Sequence, residues 1–249
     1  MKTPARLLGP ACLLAIAWTP LWAAEFAAVL DWSQRVDLAT PVAGVVEAVH
    51  VQPGQSVAKN TLLASLNPTI YEANVLEAQA DIARLGEEDA DARRDLERAR
   101  ELYARTVSST TELDLAKLRQ ARAAAMLSGA QARLERARRQ LAESSLRAPF
   151  PALVLSRQAE PGMVTSLCQP ATLLSVARAD EILARAELAA QDVAGLKPGA
   201  AASVQVAGQT HAGSLRAIRP TPGGNYLIEV VLSRAEGLIA GLPARLSLP

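Results

Sequence analysis

The sequence predicts an elongated, multidomain α+β chain: a small β-sandwich split in two by an inserted, antiparallel α-helical coiled-coil hairpin. Three textures lead there. Residues 36–68 are valine-rich with Pro-Gly punctuation, which reads as strands and turns. Residues 69–144 contain no proline and are rich in Ala, Leu, Glu and Arg, the composition of helix. Residues 146–249 return to short strands between Gly and Pro turns.

The first 24 residues have the layout of a secretion signal. Lys2 and Arg6 form a basic head, an apolar run extends from Leu7 to Trp22, and Ala23 and Ala24 offer small residues for cleavage. The run is short of the ~20 apolar residues that a membrane span needs, and Pro10 and Pro20 interrupt it. Gly9-Pro10-Ala11 ahead of Cys12 do not form a lipoprotein cleavage box. Removal of the signal leaves Cys168 alone, so no internal disulfide is expected.

Composition excludes several classes. The 249 residues carry 26 Lys+Arg against 25 Asp+Glu, and only 3% are aromatic. That is neither a basic footprint nor a stacking platform for nucleic acid. His50 and His211 stand apart from each other and from any cysteine cluster, so both read as strand residues and no metal or cofactor is expected.

The helical block carries two heptad seams. Tyr71, Val75, Ala78, Ile82, Leu85, Asp89, Ala92, Leu96, Ala99 and Tyr103 alternate steps of three and four. So do Leu113, Ala116, Gln120, Ala123, Leu127, Ala130, Leu134, Ala137 and Leu141. Each seam has one polar interruption, Asp89 and Gln120. Between them lies Thr106-Val107-Ser108-Ser109-Thr110-Thr111, and Ser109 followed by Glu112 fits a capping box. The first arm is mostly acidic and the second mostly basic. Antiparallel folding therefore predicts Asp95 near Arg119 and Arg122, Asp81 near Arg133 and Arg136, and Glu77 near Arg139. Gly86 and Gly129 fall opposite one another: a close backbone approach, a slight kink, or weak spots costing ~1 kcal/mol each. Arms of ~35 residues are ~50 Å long, too long to bury in a domain of this size, so the hairpin is expected to project.

A repeat flanks the hairpin. Gly44-Val45-Val46-Glu47-Ala48-Val49-His50-Val51-Gln52-Pro53-Gly54 matches Ala152-Leu153-Val154-Leu155-Ser156-Arg157-Gln158-Ala159-Glu160-Pro161-Gly162 in pattern. Leu62-Leu63-Ala64-Ser65-Leu66 echoes Thr172-Leu173-Leu174-Ser175-Val176. Two strand sets, each too small for its own core, should pair into one sandwich.

The repeat and its insertion resemble the periplasmic adaptor, or membrane fusion protein, family (HlyD-like). Gly44-Val45-Val46 with Val51-Gln52-Pro53-Gly54-Gln55-Ser56-Val57 resembles the first half of its split lipoyl-like (biotinyl-like) domain. Leu146-Arg147-Ala148-Pro149-Phe150-Pro151-Ala152-Leu153-Val154 resembles the second half, with Pro151-Ala152 where the family has Asp-Gly. Leu196-Lys197-Pro198-Gly199 with Val204 and Val206 resembles its β-barrel domain. The resemblance implies a lipoyl-like domain of residues 36–68 and 145–178, an α-helical hairpin of 69–144 and a β-barrel domain of 179–249. Only a short segment, Glu25 to Arg35, is expected before the first half, and no membrane-proximal domain.

Family members that dock onto TolC-like ducts carry an Arg, a Leu and a Ser around the hairpin turn. Arg98, Leu102 and Ser109 match that spacing, and Asp114 matches the acidic residue that follows. The resemblance thus implies a non-enzymatic adaptor of a tripartite efflux pump. It would link an inner-membrane RND-type transporter to a TolC-like outer-membrane channel and self-associate into a ring. An adaptor of an ABC-type or type I secretion exporter is the alternative.

Other classes find less support. The sequence has no Gly-rich phosphate loop, serine-hydrolase elbow or pair of carboxylates in a pocket. A lipoyl or biotinyl carrier presents a lysine at a tight hairpin tip, and Lys59 sits near a turn without that context. A purely structural coiled-coil protein leaves the duplicated strands unexplained. Export is directly testable. Cell fractionation and N-terminal sequencing should find a processed chain beginning near Glu25; a cytoplasmic chain with Met1 intact would refute it.

Overall fold

The computed structural model describes residues 24–166, 168, 171–235 and 237–248. The expected signal, residues 1–24, lies outside them apart from Ala24. In order the elements are β1 (Glu25–Trp32), β2 (Arg35–Leu38), β3 (Gly44–Val49), β4 (Ser56–Val57), β5 (Leu62–Leu66), α1 (Thr69–Ala104) and α2 (Thr110–Glu143). Then come β6 (Ser145–Arg147), β7 (Ala152–Arg157), β8 (Val164–Thr165), β9 (Leu174–Arg178), β10 (Glu181–Ala189) and α3 (Ala190–Val193). The chain ends with β11 (Ala201–Val206), β12 (Gln209–Pro220), β13 (Asn225–Ser233) and β14 (Pro243–Ser247). They form two compact units. One gathers the described residues up to Leu30, Ala184–Leu232 and the chain from Gly241; the other gathers Asp31–Leu183 and Ser233–Ala240.

In the second unit, β2 to β5 precede the long helices and β6 to β9 follow them. Neither set makes a sheet by itself. The sheet orders are β2-β9-β7-β4 and β6-β5-β3-β8, so each sheet takes its outer strands from one set and its inner strands from the other. Equivalent atoms of the repeat make equivalent bonds. Gly54 N donates to Val154 O and Gly162 N donates to Val46 O, each at 2.8 Å. Both glycines are left-handed, with φ of 86° and 90°, a conformation that costs other residues ~1–2 kcal/mol. Between the sheets Val46, Leu63, Leu66, Val154, Leu173, Leu174 and Val176 are buried. Each such side chain contributes ~1.5–3 kcal/mol by leaving water.

Both helix roots are tied to this sandwich. Asn67 Oδ1 accepts from Thr69 N at 3.0 Å, and Tyr71 Oη donates to Ala43 O. At the other root Ser144 O accepts from Leu66 N at 2.8 Å. Tyr71, Leu146 and the partly buried Leu141 join the sandwich core. From there α1 and α2 run antiparallel. Asp81 meets Arg133, and Gln120 Nε2 donates to Asp89 Oδ1 at 3.4 Å. Every position of the two apolar stripes is buried or half-buried except Tyr103, which is exposed beside the turn.

Two expectations on the helices need correction. Among the described residues Asp81–Arg133 is the one ion pair between them. Several other charges pair along their own helix: Arg84 with Asp81 and Glu88, Arg93 with Asp89, Arg94 with Asp91, Arg98 with Asp95, Lys117 with Asp114, and Arg138 with Glu135. Residues three and four apart are already neighbours on a helix, so these partners need no second helix. Gly86 and Gly129 do not serve close approach either. A Cβ on Gly86 would meet nothing within 4 Å, and one on Gly129 only the Arg133 guanidinium at 3.8 Å.

The first unit is a closed barrel of order β1-β10-β13-β12-β11-β14. Its membership differs from the expected 179–249 in two places. Glu25–Trp32 is no mere lead-in: β1 pairs antiparallel with β14, from Glu25 opposite Ser247 to Val29 opposite Pro243. Its Phe26, Ala28 and Leu30 alternate inward, with Ala28 and Leu30 buried. Conversely, Ser233–Ala240 belongs to the sandwich unit, where Arg234 N donates to Asp180 O at 3.0 Å. Inside the barrel Val204, Leu215, Ile228, Val230 and Leu246 are buried. Gly213 is required there, because a Cβ would lie 2.8 Å from Val231 O and 2.6 Å from Leu232.

The glycines give opposite expectations. Gly86→Ala and Gly129→Ala should each raise unfolding stability by ~1 kcal/mol, the helix-propensity difference. Gly213→Ala should lower it. Urea unfolding followed by circular dichroism checks both signs.

Candidate functional site

Outside the helix turn, the chemistry-bearing groups have structural surroundings. His50 follows β3, His211 lies in β12, and Cys168 is an exposed free thiol. Among the described residues no cluster of three or more His, Cys, Asp or Glu is placed to hold a metal ion. Lys59 is exposed in the turn between β4 and β5. Glu229 on β13 is 4% exposed. Arg219 from β12 and Arg185 Nε from β10, the latter at 3.2 Å, flank it. The Arg219 hydrogen bond, opposed by desolvation and assisted by both arginine charges, holds the Glu229 carboxyl below the usual glutamate range. This carboxylate stitches three neighbouring strands.

The turn between α1 and α2 is built from local rules. α1 ends when Thr106 takes a left-handed conformation, φ 58°, and Val107 N donates back to Leu102 O at 3.0 Å. That conformation is strained for a β-branched residue. α2 starts on a full capping box. Glu112 N donates to Ser109 Oγ at 3.2 Å, and Ser109 N donates to a Glu112 carboxylate oxygen at 3.1 Å. The Ser108 hydroxyl also donates to that carboxylate. It is the largest cause holding the Glu112 pKa below its usual value, ahead of the Ser109 amide.

The four residues singled out in sequence occupy this end of the helix pair without bonding to one another. Leu102 is 46% exposed in the last turn of α1, and Ser109 is the α2 cap. Arg98 lies one turn below Leu102 and pairs with Asp95; Asp114 pairs with Lys117 at 3.0 Å. The nearest apolar cluster, Leu96, Leu113 and Ala116 with Ala99, stops short of the turn. Sequence reasoning missed Val107, in the turn and exposed at 73%, and the outward-facing Leu115 and Leu118 near the start of α2. Their signal was available: they are large apolar residues off the heptad seam. The arrangement offers an apolar end ringed by charge, suited to contact rather than catalysis.

No family model matches the chain. The macrolide export protein MacA of Escherichia coli O157:H7 is 26% identical over 211 residues, covering 78% of this chain and 57% of that protein. The multidrug resistance protein MdtA of Erwinia amylovora is 30% identical over 134 residues, covering 54% of this chain and 33% of that protein. The chain thus spans little more than half the length of the former and a third of the latter. In fold it is similar to the membrane fusion protein Spr0693 of Streptococcus pneumoniae R6. That match has a TM-score of 0.68 at 13% identity and covers 91% of this chain and 98% of the other. A MacA-MexA chimera containing the Pseudomonas aeruginosa MexA α-hairpin gives a TM-score of 0.67 at 22% identity, over 90% of this chain and 78% of the other. These relatives bear the names of export, resistance and membrane fusion proteins.

The cap can be tested apart from any partner. Ser109→Ala should cost ~1 kcal/mol of stability. Acid should loosen the same turn. Glu112 is depressed in the folded state, so its contribution is present above the unfolded pKa and is lost as pH falls through the lower folded value. Hydrogen exchange at the Glu112 and Leu113 amides checks both; unchanged protection in Ser109→Ala would remove the cap from the account.

Proposed function

We propose, from the premise that the chain belongs to the membrane fusion protein family, that it is the periplasmic adaptor subunit of a tripartite efflux pump. In this reading it links an inner-membrane transporter of the RND type to a TolC-like outer-membrane channel and works as a ring of copies. The sandwich is the split lipoyl-like domain, α1 and α2 are its coiled-coil hairpin, and the chain works in the periplasm against the inner membrane.

One observation carries the reading. A helix pair ~50 Å long is rooted at both ends in one strand-exchanged sandwich and ends in exposed apolar side chains. A rod fixed at its base and apolar at its tip is built to reach a partner. Among the described residues no helix is long and apolar enough to cross a membrane.

Docking is assigned to Arg98, Leu102, Ser109 and Asp114. Leu102 has about half its surface left to bury, worth ~1–2 kcal/mol. Arg98 exchanges an exposed intrahelical pair, itself worth under ~1 kcal/mol, for directed hydrogen bonds to carbonyls or carboxylates. Ser109 keeps the turn compact, and Asp114 adds a rim charge. Leu102→Asp and Arg98→Asp should leave folding and export intact. They should abolish both transport and pull-down of the outer-membrane channel. Normal transport by both variants, with loss only on barrel substitutions, would withdraw the TolC-like partner.

A further inference from the structure

Beside β4 the sandwich carries a groove of about 700 Å³, a size in the range of sites for small organic ligands. All its described lining residues belong to the sandwich unit. Its walls are fixed by the backbone. Val57 comes from β4, the outer strand of its sheet. Pro151 and Ala179 are joined where Ala179 N donates to Pro151 O at 2.8 Å. The segment after β13 closes the other side. There Arg234 N donates to Asp180 O at 3.0 Å, Leu238 N donates to Ala235 O at 3.2 Å, and the Leu238 side chain is buried. That anchoring leaves Ile239, 56% exposed, on the groove wall.

Among the described residues lining the groove, Arg234 is the one charged side chain. Its guanidinium stacks 5.6 Å from the Trp32 ring, and its Nη1 is buried with no hydrogen-bond acceptor. Among the described residues no carboxylate pairs with it. Arg178 supplies the contrast. It also stacks on an aromatic ring, Phe150 at 5.0 Å, but it has Asp180 at 3.4 Å and Gln34 at 3.2 Å as partners. A ring face offsets part of a cation's lost hydration, yet it accepts none of the in-plane hydrogen bonds that a guanidinium can donate. Trp32 therefore holds Arg234 in place while leaving its charge uncompensated against apolar walls, an arrangement that folding alone does not favour. The exposed Lys59, next to the lining Ala58, adds a second cation without an ion-pair partner.

We propose that this groove binds a small organic anion, a carboxylate on a compact apolar body. The carboxylate sits at the Arg234 guanidinium, and the apolar body lies among Val57, Pro151 and Ile239. Such a site lies beyond the adaptor reading and does not rest on it. The chemistry selects this class of ligand. A planar carboxylate matches the planar fork of a guanidinium, and a charge-assisted pair of that kind is stronger than a neutral hydrogen bond. The stack on Trp32 has already fixed the fork, so little side-chain freedom is lost on binding. An organic cation would meet Arg234 and Lys59 with like charge. An inorganic anion would leave the apolar walls in water. An extended protein segment would find only the two residues of β4 to pair with, too short an edge to fix an added strand.

The test is isothermal titration calorimetry of the purified full chain with naphthaleneacetate. The acid should bind at a single site per chain, and the neutral naphthaleneacetamide, of the same shape, should bind roughly tenfold more weakly. Arg234→Gln should abolish that preference and leave amide binding unchanged, while Arg234→Lys should keep part of it. Ile239→Ala should weaken acid and amide alike. Circular dichroism checks the fold of each variant. If loss of the Trp32 stack unfolds Arg234→Gln, the acid-to-amide ratio of the unaltered chain and the Ile239→Ala result still decide. No binding at millimolar acid, equal binding of acid and amide, or a preference that survives Arg234→Gln would each overturn the proposal. So would tighter binding of the blocked peptide acetyl-Ala-Phe-Glu-Ala-amide, which would give the groove to a protein segment. Sedimentation showing that the acid acts only by splitting a dimer would give it to a second copy and overturn the proposal as well.

Discussion

Each sheet of the sandwich draws strands from both sides of the helical insertion, and the bond from Leu66 N to Ser144 O joins the two roots of that insertion. Neither half can complete a core alone: Val46 and Leu63 come before the helices, Val154 and Leu174 after them. The chain must therefore bring Leu66 and Ser144 together across the whole insertion. A flexible loop of that length adds only a slowly growing entropic cost, and a helix pair that doubles back removes much of it by returning its own ends. The projecting rod and the closed sandwich thus solve one problem. The pair is stable only if it returns to its root, and the sandwich forms only if it does.

Register along the pair is set chiefly by where polarity is buried. Asp89 is 5% exposed on its side chain, within a stripe of alanine, leucine and isoleucine. Gln120 reaches it from α2 and Arg93 Nε, at 2.7 Å, from its own helix. Sliding α2 by one heptad would take Gln120 away and place an apolar side chain against a buried carboxylate, a larger loss than any exposed ion pair can offset. Arg84, Arg94, Arg98 and Arg138, paired along their own helices, contribute little to alignment.

Those features explain what was legible from sequence. The two stripes, the Pro-Gly repeat and the Ser109–Glu112 box are local patterns, and the structure follows them residue by residue. β1 was not legible as a barrel strand, because its partner Ser247 lies at the other end of the chain and eight residues carry no mark of a distant pairing. Of the expected cross-helix pairs Asp81–Arg133 forms and the others do not; opposite charge on two arms looks the same whether arginines answer their own helix or the other. The outward Val107, Leu115 and Leu118 lie off the seam, so the heptad pattern does not mark them. The tip match of Arg98, Leu102, Ser109 and Asp114 came from resemblance, and their geometry places them at one end without a bond among them.

That end is also where the fold constrains the sequence least. The last shared apolar cluster stops at Leu96, Leu113 and Ala116, so nothing in the interior requires Leu102, Tyr103 or Val107 to be apolar. A solvated turn would be served as well by polar side chains, and Thr106 could be glycine at less strain. Instead the chain holds a strained turn closed with a capping box and exposes large apolar side chains around it. Folding gains little from this combination. A partner surface able to cover Leu102 and Val107 gains directly, because the cap has already fixed the backbone that presents them and little ordering cost remains at the moment of contact.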